Sequence, residues 1–250
     1  MTLSWTPLLA MGATLLPLLV VKRWITGSLQ ELSVRWVGDP QVALVVYFVL
    51  VLPGVVLHEV SHWLMATLLG VRVSKFRLGP VRQGRSNRVS LGSVRVGKVD
   101  PLRASLIGLA PLLGASAVIL LVGNLVLGLD ELAAGFSGGG IEELWAGVQQ
   151  VMRVPDAWLW LYLIFAISNA MLPSESDMST VRPVLIFLGI AAAVYLVVAG
   201  VPSIPPGVRE TVDAVASYLA SAFGLTLAVD ALFILIVALL LWGTRRLQAR

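Results

Sequence analysis

Six stretches of the chain are apolar almost throughout: residues 3–21, 41–69, 104–129, 157–173, 184–201 and 225–243. A helix needs about 20 residues to cross a bilayer, so these runs predict six transmembrane helices. Residues 71–102 differ. V-R-V-S-K-F-R-L and R-V-S-L-G-S-V-R-V alternate apolar with polar, the period of a half-buried strand. Between them G-P-V-R-Q-G-R-S-N-R is rich in turn residues. This segment predicts a β-hairpin or small sheet at the membrane surface. Two amphipathic patterns complete the picture. Ile141, Leu144, Trp145, Val148 and Met152 make one apolar face, expected to lie on the membrane or to pack as a lid. A weaker pattern runs through Val208, Val212, Val215, Leu219 and Phe223.

Composition agrees with the pattern. Of 250 residues, 58% are hydrophobic and only 13% charged, about half the charge of a soluble domain. Mean hydropathy is +0.90. The expected fold is an all-α polytopic membrane protein, one membrane-embedded domain over residues 1–250, with a core at about 41–178. Residues 1–40 and 179–250 would be peripheral helices. The first run has neither a preceding positive charge nor a small-residue site after it, so it reads as a retained helix rather than a cleaved signal. Pro53-Gly54 marks an expected kink in the second run. No cysteine is present, which excludes disulfides and thiolate-bound zinc.

Charge sets an orientation. The pI near 9.8 does not imply a nucleic-acid partner here, because basic residues of membrane proteins mark cytoplasmic loops. With six spans, thirteen Lys and Arg fall on the side holding both termini, the hairpin and residues 174–183, against five on the other. Both termini and the hairpin are therefore expected in the cytoplasm, and the Ala/Val/Gly/Arg-rich composition reads as a prokaryotic cytoplasmic membrane. Arg82, Arg85 and Arg88 read as a solvated basic turn or a contact to anionic head groups.

The candidate chemistry lies in the second run. His58, Glu59 and His62 form H-E-x-x-H, and these are the only two histidines in the chain. Residues four apart share a helix face, so both imidazoles can hold one metal ion while Glu59 reaches a water on it. His62 stands eight residues before Gly70, roughly 12 Å deep. Catalytic zinc keeps three protein ligands and one open position, and the third donor at this depth is Asp177 or Glu175. Asn169, about two turns before Asp177, is a candidate donor to a developing oxyanion or a helix–helix hydrogen bond. Asp230, near the start of the last run, is a functional candidate by default as a lone intramembrane acid, or an interfacial one so close to the end.

Together these features resemble the site-2 proteases, a family of intramembrane zinc metalloproteases. That family pairs H-E-x-x-H with a downstream N-x-x-P-x-x-x-x-D-G. Here Asn169-Ala-Met-Leu-Pro173-Ser-Glu-Ser-Asp177 keeps the Asn-to-Asp interval, with proline displaced by one and Met178 in place of glycine. The resemblance implies Asp177 as third zinc ligand, and Zn2+ as cofactor. It implies a substrate that is a membrane-anchored protein cut within or beside the lipid bilayer. The family's third-span A-G-P-L-x-N is similar to Leu109-Ala110-Pro111-Leu112-Leu113-Gly114, with glycine where the family has asparagine. An exposed hairpin edge offers pairing for an extended substrate, or serves as a cytoplasmic cover. Two other classes compete. A metal-binding transporter would show repeated halves and leave Glu59 idle; a non-proteolytic scaffold would bind membrane proteins without cutting them.

Overall fold

The computed structural model describes residues 5–82, 89–128, 141–199 and 205–248. In order these form α1 (Trp5–Val37), α2 (Pro40–Leu68), β1 (Val73–Arg82), β2 (Val89–Val96) and α3 (Pro101–Leu125). They are followed by α4 (Ile141–Arg153), α5 (Ala157–Met171), α6 (Glu175–Ala199) and α7 (Pro206–Gln248). Five helices (α1, α2, α3, α6, α7) are long and apolar enough to cross a membrane. The architecture is that of an all-α membrane protein with one two-stranded sheet.

Local chemistry sets the corners. Gly38, at φ +77°, closes α1 by donating its N–H to Val34 O at 2.8 Å, a left-handed cap that glycine takes without penalty. Asp39 then caps α2, its carboxylate accepting from Gln41 N and Val42 N, with Pro40 at the first helical position, where its missing N–H costs nothing. The same Asp-Pro pair opens α3: Asp100 accepts from Arg103 N ahead of Pro101. β1 and β2 pair antiparallel, with Phe76 opposite Val94 and Leu78 opposite Gly92. Arg85 and Arg88 of the expected basic cluster lie outside the described residues.

Several boundaries move. The first helix does not stop near residue 21 but runs to Val37, because no breaker intervenes and Lys22 is accommodated inside the bundle. α2 passes unbroken through Pro53; the Leu50 carbonyl in that turn accepts from Tyr162 OH at 3.0 Å. α5 has 15 residues, too few for a span by itself, and bends by 104° from α4. Trp145, Val148 and Met152 of α4 are exposed, so that face is not packed as a lid. Residues 206–248 form one helix of 43 residues, not two elements, since Gly224 alone does not interrupt a run of good helix formers. Asp230 thereby falls deep inside α7 and is 2% exposed, not interfacial.

Helix directions also differ from a six-crossing count. Arg245 of α7 pairs with Glu31 of α1 at 2.9 Å, and Lys22 of α1 meets the same Ser168 that Asp230 binds. α1 and α7 therefore run parallel, and Trp5 and Gln248 lie at opposite ends of the bundle, whereas six alternating crossings would put both termini on one side. α6 is the reason. It crosses α3 near Thr180, whose carbonyl lies 3.2 Å from Ser105 Oγ, and Leu185 to Tyr195, Val197 and Val198 are then exposed, so it does not thread back through the bundle.

One apolar core runs from Leu18 and Ile25 through Val51, Ile119 and Ile164 to Phe223 and Leu241. Close approach of α2 and α5 depends on Gly54. A Cβ there would lie 1.9 Å from Ala166 O, so only glycine fits. Small residues at such crossings are how helices pack in lipid, where burial gives little drive.

Candidate metal centre

α2 carries His58 and His62 one turn apart, their rings edge to face with centroids 4.8 Å apart. Each ring is held from behind. His58 Nδ1 lies 2.7 Å from Ala170 O of α5, and His62 Nδ1 lies 2.7 Å from Ile107 O of α3. A carbonyl only accepts, so both Nδ1 atoms carry a proton, and in a neutral ring Nε2 is left as a bare lone pair. The two Nε2 atoms face each other at 3.1 Å. Two lone pairs so close repel unless a proton or a cation lies between them. A backbone carbonyl on the far nitrogen is also the outer partner that metal-ligating imidazoles carry.

Asp177 reaches this pair from the first turn of α6. Ser174 donates both its N–H (2.7 Å) and its hydroxyl (2.6 Å) to Asp177 Oδ2, and Asp177 N–H returns to Ser174 Oγ at 3.3 Å. This reciprocal S-x-x-D cap fixes the carboxylate. Oδ1 then sits 3.2 Å from His62 Nε2 and Oδ2 3.5 Å from His58 Nε2. With one ligand atom taken from each residue, the three donors lie within 4.8 Å of one another, against about 3.3 Å for donors at 2.0–2.1 Å from one tetrahedral ion. His58, His62 and Asp177 are a group that can hold a metal ion. Glu175, the other donor considered, is exposed and lies outside that group.

Glu59 is 5% exposed, and its Oε2 has no hydrogen-bond partner. A buried carboxylate oxygen without a donor is costly, and the donor set beside it, two lone pairs and a carboxylate, has the chemistry to hold an ion and its water. The residues fit such a group. Glu59 also touches the hairpin: a Cβ on Gly92 would come within 2.6 Å of Glu59 Oε1. Gly92 thus lets β2 lie directly on the acid. Its signal was present in the sequence as a glycine inside a strand pattern, which marks close backbone approach. A cavity of about 890 Å³ lies between the His58–Glu59–His62 face and Asp177 on one side and Leu91 to Val94 of β2 on the other.

Asn169 is not brought to this cavity. It follows Ser168 on α5, and its Nδ2 donates to Phe165 O of its own helix at 2.8 Å; its neighbour Ala170, about 100° further round, is the residue that faces His58. The position occupied by Gly114 is filled from the opposite helix. A Cβ there would stand 2.5 Å from Ser61 Oγ, and Ser61 donates to Leu57 O at 2.7 Å. An asparagine at 114 would not fit. The two backbone carbonyls that orient the rings, Ala170 and Ile107, had no sequence signal, because any residue supplies a carbonyl.

No family model, curated protein or solved structure matches this chain. The site defines, by its own geometry, a helical membrane protein with a His/His/Asp cluster and a buried glutamate beside it.

Proposed function

We propose that the chain is an intramembrane zinc metalloendopeptidase that cuts membrane-anchored proteins. The observation carrying this reading is the facing Nε2 pair, with both Nδ1 protons committed to carbonyls and the Asp177 carboxylate opposite. When bound there, zinc lowers the pKa of a water toward about 7 and polarises a carbonyl oxygen. The chain's own residues do the rest. His58, His62 and Asp177 hold the ion, with Ala170 O, Ile107 O and Ser174 keeping each ligand oriented. Glu59, unpartnered at Oε2, takes the proton from the attacking water and passes it to the leaving nitrogen. Water then ends divided between a new carboxylate and a new amine.

A helical substrate must first expose its peptide bond, since its backbone polar groups are otherwise paired. β2 supports a way of holding an unwound segment. Its residues Leu91 to Val94 line the cavity, where an extended chain can lie alongside a strand. The hairpin and its flanks hold nine of the 18 basic residues, which supports a cytoplasmic position for that end of the bundle. The Trp5 end would then share that side, with the Gln248 end opposite.

The test is incubation of wild type and Glu59→Gln with a panel of single-span proteins in detergent or liposomes, reading fragments by mass. Fragments from wild type and none from the variant are expected. Fragments from both, or from neither across the panel, overturn the reading.

A further inference from the structure

Away from the cavity, the bundle buries a second set of charged and hydroxyl groups. Asp230 of α7 and Ser168 of α5 are each 2% exposed, and the Ser168 hydroxyl shares its one proton between Phe165 O of its own helix at 2.8 Å and Asp230 Oδ1 at 3.2 Å. Lys22 of α1 donates from Nζ to the backbone carbonyl of the same Ser168 at 3.2 Å, close enough to Asp230 to interact electrostatically. Both ions are far from any helix end. Lys22 precedes Val37 by 15 residues, about 22 Å, and Asp230 precedes Gln248 by 18, about 27 Å. Charges at such depth are costly and are retained for a task.

Their task is visible at the end of α5. This helix stops at Met171, so its last four carbonyls have no partner within the helix. Two of them are taken by side chains from other helices: Ser168 O by Lys22, and Ala170 O by His58 Nδ1. The cation also suits the negative end of the α5 dipole. Lys22 on the carbonyl and Asp230 on the hydroxyl hold Ser168 from both sides, two residues before the carbonyl that sets His58.

Building on the metal-centre reading above, we infer that Lys22 and Asp230 are positioning residues, a clamp on the last turn of α5 that keeps Ala170 O in place for His58. They touch neither ion nor substrate. Without them the turn frays, Ala170 O drifts from Nδ1, and the ring loses its tautomer and aim. Outer hydrogen-bond partners of metal ligands matter in this way.

The experiment loads full-length protein with cobalt(II) and records its visible spectrum, together with zinc affinity by chelator competition and the melting transition. Lys22→Met and Asp230→Ala are expected to weaken zinc about tenfold, the low end for loss of an outer partner, and to change the cobalt band shape. Ser168→Ala, with the smallest loss of volume, should move both in the same direction. Asp230→Asn should restore both readouts, because its amide oxygen still accepts from Ser168 and a neutral Lys22 amine still donates. Thr226→Val, one turn from Asp230 with a buried hydroxyl lacking a partner, should leave both unchanged. Wild-type affinity and spectrum in folded Lys22→Met, Asp230→Ala and Ser168→Ala would overturn the clamp while leaving the metal centre standing. A wild type that binds neither metal removes the metal centre, and the clamp with it.

Discussion

His58 and His62 point their Nε2 atoms at each other across 3.1 Å while giving their Nδ1 protons to carbonyls on two different helices. The pair is thus fixed as donors before any ion arrives. Protein prepared without chelators should carry about one divalent ion per chain. His62→Ala and Asp177→Ala should carry essentially none, as read by elemental analysis. Wild type with no ion at all would end this account.

Gly92 separates binding from chemistry. With a side chain at 92, the hairpin must push on Glu59 Oε1, 2.6 Å from where the Cβ would be. The three metal donors are not touched by this change. Gly92→Val should therefore keep its ion and lose turnover on the order of 10²-fold, the scale of a displacement of about 1 Å at a reacting group. Equal loss of ion and activity would mean that the hairpin supports the ligands instead.

Two glycines on neighbouring helices should respond oppositely to alanine. At Gly54 the new methyl meets Ala166 O at 1.9 Å, whereas at Gly12 it meets nothing within 4 Å. Gly54→Ala should cost at least about 1–3 kcal/mol by overpacking, and Gly12→Ala should be neutral or stabilising by up to about 1 kcal/mol. Unfolding in detergent measures both.

Gly114 and Ser61 should be coupled. Gly114→Ala is expected to destabilise by about 1–3 kcal/mol because its methyl meets Ser61 Oγ. In a Ser61→Ala background that oxygen is gone, and the penalty should shrink by about 0.5–3 kcal/mol in a double-mutant cycle. Strict additivity would show that the contact is not the cause.

The sequence made the His58–Glu59–His62 cluster legible and left its support hidden. His58, Glu59 and His62 carry a fixed spacing, and a helical period of 3.6 puts them on one side without further information. The hairpin was legible for the same reason, with a period of two and turn residues between. Asp177 required the S-x-x-D cap, whose local bonds aim a carboxylate from a segment that reads as a loop. Asn169 was misplaced because spacing along a helix does not say which of two adjacent faces a tertiary contact uses. Asp230 was misjudged because residues 206–248 were divided in two, which turned a position at mid-helix into an apparent end. Lys22 stands just past the first apolar run at 3–21, and α1 continues through it because one buried cation can be carried inside a bundle when a carbonyl and a carboxylate receive it.

α6 carries Asp177 in its first turn and continues as an apolar rod, exposed from Leu185 to Tyr195 and again at Val197, which reaches 86%, and Val198. Among the described residues its main support is α3, along its first turns. Asp177 thus sits on a helix that the rest of the protein braces only near its start. A change of bilayer thickness or detergent that tilts this rod would reach the carboxylate before either imidazole.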